Sequence, residues 1–263
     1  MFMVERDQSN HSLSITSTLS ITYTSVFCVP LAASFIEFRF ATKYTGDTII
    51  RRIKMNNKNK HIVLIHGLYM PALIMQYLDR NFKKRGFTTH KFAYNSLRFP
   101  SAAKRLNRFI NARFDEHDEV YFFGHSLGGL LIRHYFKFYQ PNFADTCIIT
   151  AGTPHNGATI AKTLSNHGLG FIFGSSKMIL SDGLGDYDID VPIGVITGTY
   201  DAGVGRIVLG KNPGDGTVTL EDANLRGATD TCALKLNHTA LVYSKEVVTL
   251  SAQFIEHRAF KAA

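Results

Sequence analysis

Residues 121–130 read YFFGHSLGGL. An apolar run breaks off at Gly124, Ser126 follows two residues later, and Gly128 and Gly129 open a stretch in which Leu130, Leu131, His134, Tyr135 and Phe138 recur at helical intervals until Pro141. That pattern is a strand feeding a helix through one sharp turn. A serine at the apex of such a turn is held in unfavourable φ/ψ, and the residues two before and two after it must be small. Gly124 and Gly128 meet the requirement, so the pentapeptide 124–128 fits G-x-S-x-G. The bland alternative is a serine at an ordinary glycine-rich helix start, and three fixed positions alone do not separate the two.

The flanking sequence supplies the context. His61–His66 is a continuous apolar run with β-branched residues that ends in Gly67, which predicts a buried strand. A helix is expected over about Leu73–Arg85, a strand over Phe87–Tyr94, a helix over Ser101–Glu116 and a strand over Glu119–Phe123. Beyond Pro141, strands are expected at Thr146–Ala151, Ile193–Thr197 and Cys232–Leu236, with a closing helix over Leu241–Phe254. Strands alternating with helices of this length imply βαβ units, right-handed crossovers and a mostly parallel α/β sheet. In such sheets the ligand lies beyond the carboxyl ends of the strands. The loops HGLYM (66–70), GHSLGG (124–129) and GTPHNG (152–157) all follow strands, so they should converge on one edge.

Two segments fall outside this alternation. Residues 1–54 combine the Ser/Thr-rich HSLSITSTLSITYTS with the apolar run VFCVPLAASFI, which Pro30 interrupts. The run is too short for a spanning helix of about 20 residues, and Glu5 and Asp7 argue against a signal peptide. Met55 then opens MNNKNKHIVLIHG, a polar lead into the first core strand. Residues 1–54 are therefore expected to be a loosely attached or disordered extension, or an upstream in-frame translation absent from the working protein, ahead of a domain over 55–263. Residues 156–190 carry glycines, scattered apolar side chains and weak periodicity. Long irregular segments in compact domains are often active-site lids, so this one is a candidate cap.

Composition narrows the function classes. A chain of 263 residues with 45% hydrophobic content can bury one large α/β core. Cys28, Cys147 and Cys232 are odd in number and far apart, which suggests neither a disulfide framework nor a metal cluster and fits a reducing, cytoplasmic setting. The formal charge of +8 raises the question of an anionic partner. Lys104, Arg105, Arg108 and Arg113, however, interleave with Ala103, Leu106, Ile110 and Phe114 as the solvated side of an amphipathic helix. With Lys83-Lys84-Arg85 they speak for solubility or peripheral membrane contact, and no nucleic-acid partner is expected.

A serine hydroxyl becomes a useful nucleophile only with a base in reach, a group that orients the base, and donors for the developing oxyanion. Leu127 N–H, at the start of the helix after Ser126, is one donor. Leu68 N–H, after the His66-Gly67 turn, is the best candidate for a second, with Tyr69 as its neighbour. His238, in Asn237-His238-Thr239 between the last strand and a helix, is placed as the base. For the acid, Asp215 in the PGDG turn and Asp201 directly after the strand GVITGTY both precede His238, and PGDG also reads as a plain turn.

Taken together, HGLYM, GHSLGGLLIRHY, GTPHNGA, PGDGTV and NHTAL resemble the α/β-hydrolase superfamily, in particular small lipase- or esterase-like serine hydrolases, over residues 60–257. The resemblance implies an α/β-hydrolase fold, a Ser126–Asp215–His238 triad, oxyanion donors Leu68 and Leu127, and neither metal nor organic cofactor. It implies a small-molecule ester or lipid substrate cleaved through an acyl-enzyme. Acyl transfer, thioester cleavage and a non-catalytic binding protein on the same fold are the alternatives. Two departures stand out: residues 1–54 match nothing in the pattern, and 156–190 is short and glycine-rich for a lipase lid.

Overall fold

A computed structural model describes residues 60–260. The readings made for residues 1–54 therefore lie outside the described residues. Among the described residues, six parallel strands form one sheet: β1 (Lys60–Ile65), β2 (Thr88–Phe92), β3 (Glu119–His125), β4 (Ile148–Ala151), β5 (Ile193–Gly198) and β6 (Asp230–Leu234), in spatial order β2-β1-β3-β4-β5-β6. The helices are α1 (Gln76–Lys83), α2 (Phe99–Asn111), α3 (Leu127–Tyr139), α4 (Thr159–Leu164), α5 (Lys177–Asp182), α6 (Val204–Leu209), α7 (Leu220–Ala223) and α8 (Lys245–His257).

The strands are apolar on both faces because helices cover both faces. Along β1, Ile62 and Leu64 pack with Leu78 and Phe82 of α1 and with Val247, Val248 and Phe254 of α8. Val63 and Ile65 point the other way, into a layer with Ala102, Ala103 and Leu106 of α2 and Leu130, Leu131 and Tyr135 of α3. Successive side chains of one strand thus feed two separate cores, as a period of two demands. Each fully buried Leu, Ile or Phe stabilises the fold by roughly 1.5–3 kcal/mol relative to exposure.

Strand order reverses direction once. From β1 the chain crosses to β2 on one side and then to β3 on the other, with Ile65 in register with Gly124. A crevice opens at such a switch point, beyond the carboxyl ends of the two strands. The segments leaving β1 and β3 are the HGLYM loop and Ser126.

Several boundaries differ from the sequence-based expectation. Helix α2 ends at Asn111 and not near Glu116, because Ala112 and Arg113 close the last turn on Arg108 and Ile110 carbonyls. Phe114 then turns away to pack on His61 and His90. The last strand is Asp230–Leu234, two residues earlier than predicted. Leu236 N–H bonds back to the Leu234 carbonyl, so the chain has already turned by CALKL's end. Segment 156–190 is not irregular throughout: it holds α4, α5 and a π/3-10 stretch over 165–176 whose backbone reverses at Gly168 (φ 78°) and Gly174 (φ 54°). Its weak periodicity comes from these glycine interruptions between very short helices. The basic residues Lys104, Arg105, Arg108 and Arg113 are exposed, opposite the buried Ala103, Leu106 and Ile110. No described helix is long and apolar enough to cross a membrane.

Candidate active site

Ser126 sits at φ 54°, ψ −125°, between the last residue of β3 and the first of α3. A left-handed backbone at a non-glycine residue costs about 1–2 kcal/mol, and three hydrogen bonds hold it there. Ser126 N–H donates to the Ala151 carbonyl (2.9 Å), and the Ser126 carbonyl accepts from Gly129 N–H (3.0 Å) and Thr153 Oγ1 (3.0 Å). The atoms nearest to where a side chain would stand at the flanking glycines belong to α3 and to β1 and its following residue. A Cβ at Gly124 would lie 2.6 Å from the Gly129 backbone, and one at Gly128 would lie 2.4 Å from the Ile65 carbonyl oxygen. The turn is therefore wedged between β1 and the first turn of α3.

His238 and Asp215 are brought together from different loops. Asp215 Oδ2 accepts from His238 Nδ1 at 2.7 Å, both residues being buried. The other carboxylate oxygen, Oδ1, accepts from Thr217 N–H (2.9 Å) and Val218 N–H (2.8 Å), and His238 N–H donates to the Asp215 carbonyl (2.9 Å). The PGDG turn thus aims one oxygen and anchors the other, leaving the carboxylate little freedom to rotate. Asp201, the rival acid, points elsewhere and pairs with Arg206 at 2.9 Å.

Leu68 follows β1 and Leu127 opens the 13-residue α3; neither N–H has a protein acceptor among the described residues. Tyr69 N–H does have one, Ser96 Oγ at 3.0 Å, so Tyr69 contributes no free donor. Among the described residues no group of three or more His, Cys, Asp or Glu is arranged to hold a metal ion.

Other residues around the site fall in or near the quoted motifs, but nothing in the sequence assigns them an individual role. His125, fully buried, donates from Nε2 to the His238 carbonyl (3.0 Å) with its ring 4.6 Å from the His238 ring. Burial first, and the nearby His238 second, hold its pKa well below the ordinary histidine value, so it stays neutral. Gly152 adopts φ 59°, and a Cβ there would come within 3.0 Å of both Asp215 Oδ2 and His238 Nδ1. Behind the site, the buried Arg133 reaches His155 Nδ1 (3.1 Å) and the carbonyls of Gly185 and Asp186. Thr150 Oγ1 lies 3.1 Å from the other nitrogen of His155. His155 is likewise pushed well below the ordinary value, by burial and then by the Arg133 charge.

Comparison with family models and with curated proteins yields no match. Solved structures do match. The propeptide form of Bacillus licheniformis lipase BlEst2 aligns at TM-score 0.60 and 16% identity, over 79% of this chain and 51% of that one; the chain thus spans about half the length of that protein. The metagenomic carboxyl esterase MGS0156 aligns at TM-score 0.59 and 15% identity, over 77% of each chain. The esterase EaEST of Exiguobacterium antarcticum aligns at TM-score 0.53 and 13% identity, over 76% and 92%. With the six-stranded parallel sheet, its single reversal of strand order and the strand-to-helix turn at Ser126, these alignments establish that the chain has the α/β-hydrolase fold.

Proposed function

We propose that this protein is a serine hydrolase that cleaves carboxylic esters through an acyl-enzyme on Ser126. The observation that carries the reading is the buried 2.7 Å contact between His238 Nδ1 and Asp215 Oδ2, on the same sheet edge as the strained Ser126. With Nδ1 committed to Asp215, His238 keeps Nε2 as the nitrogen that takes a proton. Ser126 Oγ attacks the ester carbonyl as Nε2 removes its proton, and the tetrahedral oxyanion is bound by Leu68 and Leu127 N–H. Nε2 then protonates the departing alcohol, and water repeats the sequence on the acyl-enzyme. Asp215 holds the imidazole in the required tautomer and stabilises the imidazolium. The structural neighbours are a lipase and two esterases, which agrees with this chemistry in general terms.

The test is hydrolysis of a p-nitrophenyl ester series with fluorophosphonate labelling. Wild type is expected to hydrolyse and to be labelled, Ser126→Ala to do neither, and Asp215→Asn to lose about 10⁴-fold in kcat. Asp201→Asn is expected to stay within about threefold of wild type, since its partner is an exposed arginine. An unlabelled, inactive wild type overturns the reading; Asp201→Asn as the more damaging change overturns the choice of acid.

A further inference from the structure

The loop after β2 holds both ends of the segment that carries the Leu68 amide. Tyr94, at the loop's start, donates its hydroxyl to the His66 carbonyl (2.8 Å) and stacks on the His66 ring with centroids 4.4 Å apart. Two residues on, the buried Ser96 accepts Tyr69 N–H on Oγ (3.0 Å). Tyr69 itself is held at φ 56°, a left-handed conformation that persists in a tyrosine only under such constraint. Leu68 is thus bracketed at 66 and at 69 by side chains of one loop, which leaves its amide a narrow range of directions.

That same loop is the landing for residues 172–176. Ser176, fully buried, donates its hydroxyl to the Ser96 carbonyl (2.6 Å); Ser175 donates both N–H (3.0 Å) and Oγ (3.1 Å) to the Leu97 carbonyl. The Tyr69 hydroxyl donates to the Ile172 carbonyl. Gly174 permits the approach, because a Cβ there would lie 2.6 Å from the Leu97 carbonyl oxygen. Segment 172–176, loop 94–97 and Tyr69 are therefore one hydrogen-bonded unit, with Leu68 N–H at its catalytic end.

We infer that Ser96 and Tyr69 are positioning residues for the Leu68 oxyanion donor, and that docking of residues 172–176 on the 94–97 loop sets the direction of that donor. The inference rests on the ester-hydrolase reading and extends it to groups that never touch substrate. A donor misdirected by less than an ångström loses much of its transition-state stabilisation while ground-state binding is little changed. The defect should therefore fall on kcat and not on KM.

Ser96→Ala deletes only the Oγ acceptor and leaves the carbonyl used by Ser176. Tyr69→Phe deletes only the hydroxyl that reaches Ile172. With active sites counted by fluorophosphonate titration, Ser96→Ala is expected to lower kcat by about 10- to 100-fold with KM within about twofold. The Ki of a trifluoromethyl ketone, whose serine adduct places an alkoxide against the same donor, is expected to rise in parallel. Tyr69→Phe is expected to show a smaller change of the same kind. Amide hydrogen exchange supplies a readout independent of turnover: Tyr69 N–H is expected to lose protection in Ser96→Ala, and residues 172–176 to exchange faster in Tyr69→Phe. An active wild type in which Ser96→Ala keeps its kcat, or loses only KM, overturns this inference and leaves the hydrolase reading intact. An inactive, unlabelled wild type overturns both. A Tyr69 amide unprotected in wild type removes the hydrogen-bonded unit whatever the activity.

Discussion

Gly152→Ala tests whether the space around the Asp215–His238 contact is as tight as its geometry implies. The added methyl would lie 3.0 Å from Asp215 Oδ2, 3.0 Å from His238 Nδ1 and 2.9 Å from Leu241 Cδ1, so each of these groups must give by a few tenths of an ångström. The backbone cannot retreat easily to negative φ, since Gly152 N–H donates to the Ile196 carbonyl (3.0 Å) and anchors the end of β4 to β5. Alanine at φ 59° costs about 1–2 kcal/mol, and crowding a packed site adds roughly 1–3 kcal/mol. The sum, about 2–5 kcal/mol, is expected as lost stability in urea unfolding. The part of the strain relieved by pushing His238 from Asp215 is expected to appear in turnover, as a loss of about 10²-fold in kcat/KM for a p-nitrophenyl ester at constant concentration of folded protein. Gly152→Ala that unfolds within about 0.5 kcal/mol of wild type and keeps more than a third of its activity would refute the reasoning. It would mean either that the loop yields freely or that catalysis does not pass through the Asp215–His238 pair.

Two further expectations concern stability. Gly129→Ala should be destabilising despite the better helix propensity of alanine, because its Cβ would fall 2.1 Å from Thr153 Oγ1 and 2.8 Å from Cγ2. Thr153→Ala in the same chain should recover about 1–2 kcal/mol, read as the coupling in a double-mutant cycle; strict additivity contradicts the contact. The second is a pH dependence. His125 and His155 are buried neutral, with folded-state pKa values lowered from the ordinary 6.5. Below that value the unfolded chain binds protons that the folded chain refuses. Stability should be flat above about pH 6.5 and fall as pH drops, with a slope approaching roughly 1.4 kcal/mol per pH unit for each histidine. Chemical unfolding of wild type and His155→Gln between pH 7 and 5.5 checks this, and an equal slope in the two proteins excludes His155 as a source.

The sequence by itself determined the layered plan and the order of the chemical groups. Runs such as Ile62–Ile65 and Val120–Phe123 are apolar at every position because both faces of the sheet are covered, and that is legible without any partner. Gly124, Ser126 and Gly128 announce a sharp turn because only glycine tolerates backbone atoms 2.4–2.6 Å from where a Cβ would be, the Gly129 N and Cα at one position and the Ile65 carbonyl oxygen at the other. His238 was legible from its place after the last strand. The tertiary structure decided the rest. Asp215 is favoured over Asp201 by its place and by the resemblance, but the Thr217 and Val218 amides that aim one, like the Arg206 that engages the other, enter only when the loop after β5 folds. Segment 156–190 read as irregular because its two helices of six residues, separated by a stretch that reverses at Gly168 and Gly174, are too short to show a period. Ser96 carries no signal, and Tyr69 and Gly152 are marked only as members of the HGLYM and GTPHNG loops, since what each does lies in what stands opposite it: an amide 27 residues away, a carbonyl 103 residues away, and a hydrogen bond between two other loops. Periodicity and turn chemistry are local and survive in a linear string, whereas the direction of a donor and the room around a contact are set by segments distant in sequence and exist only once the chain has closed on itself.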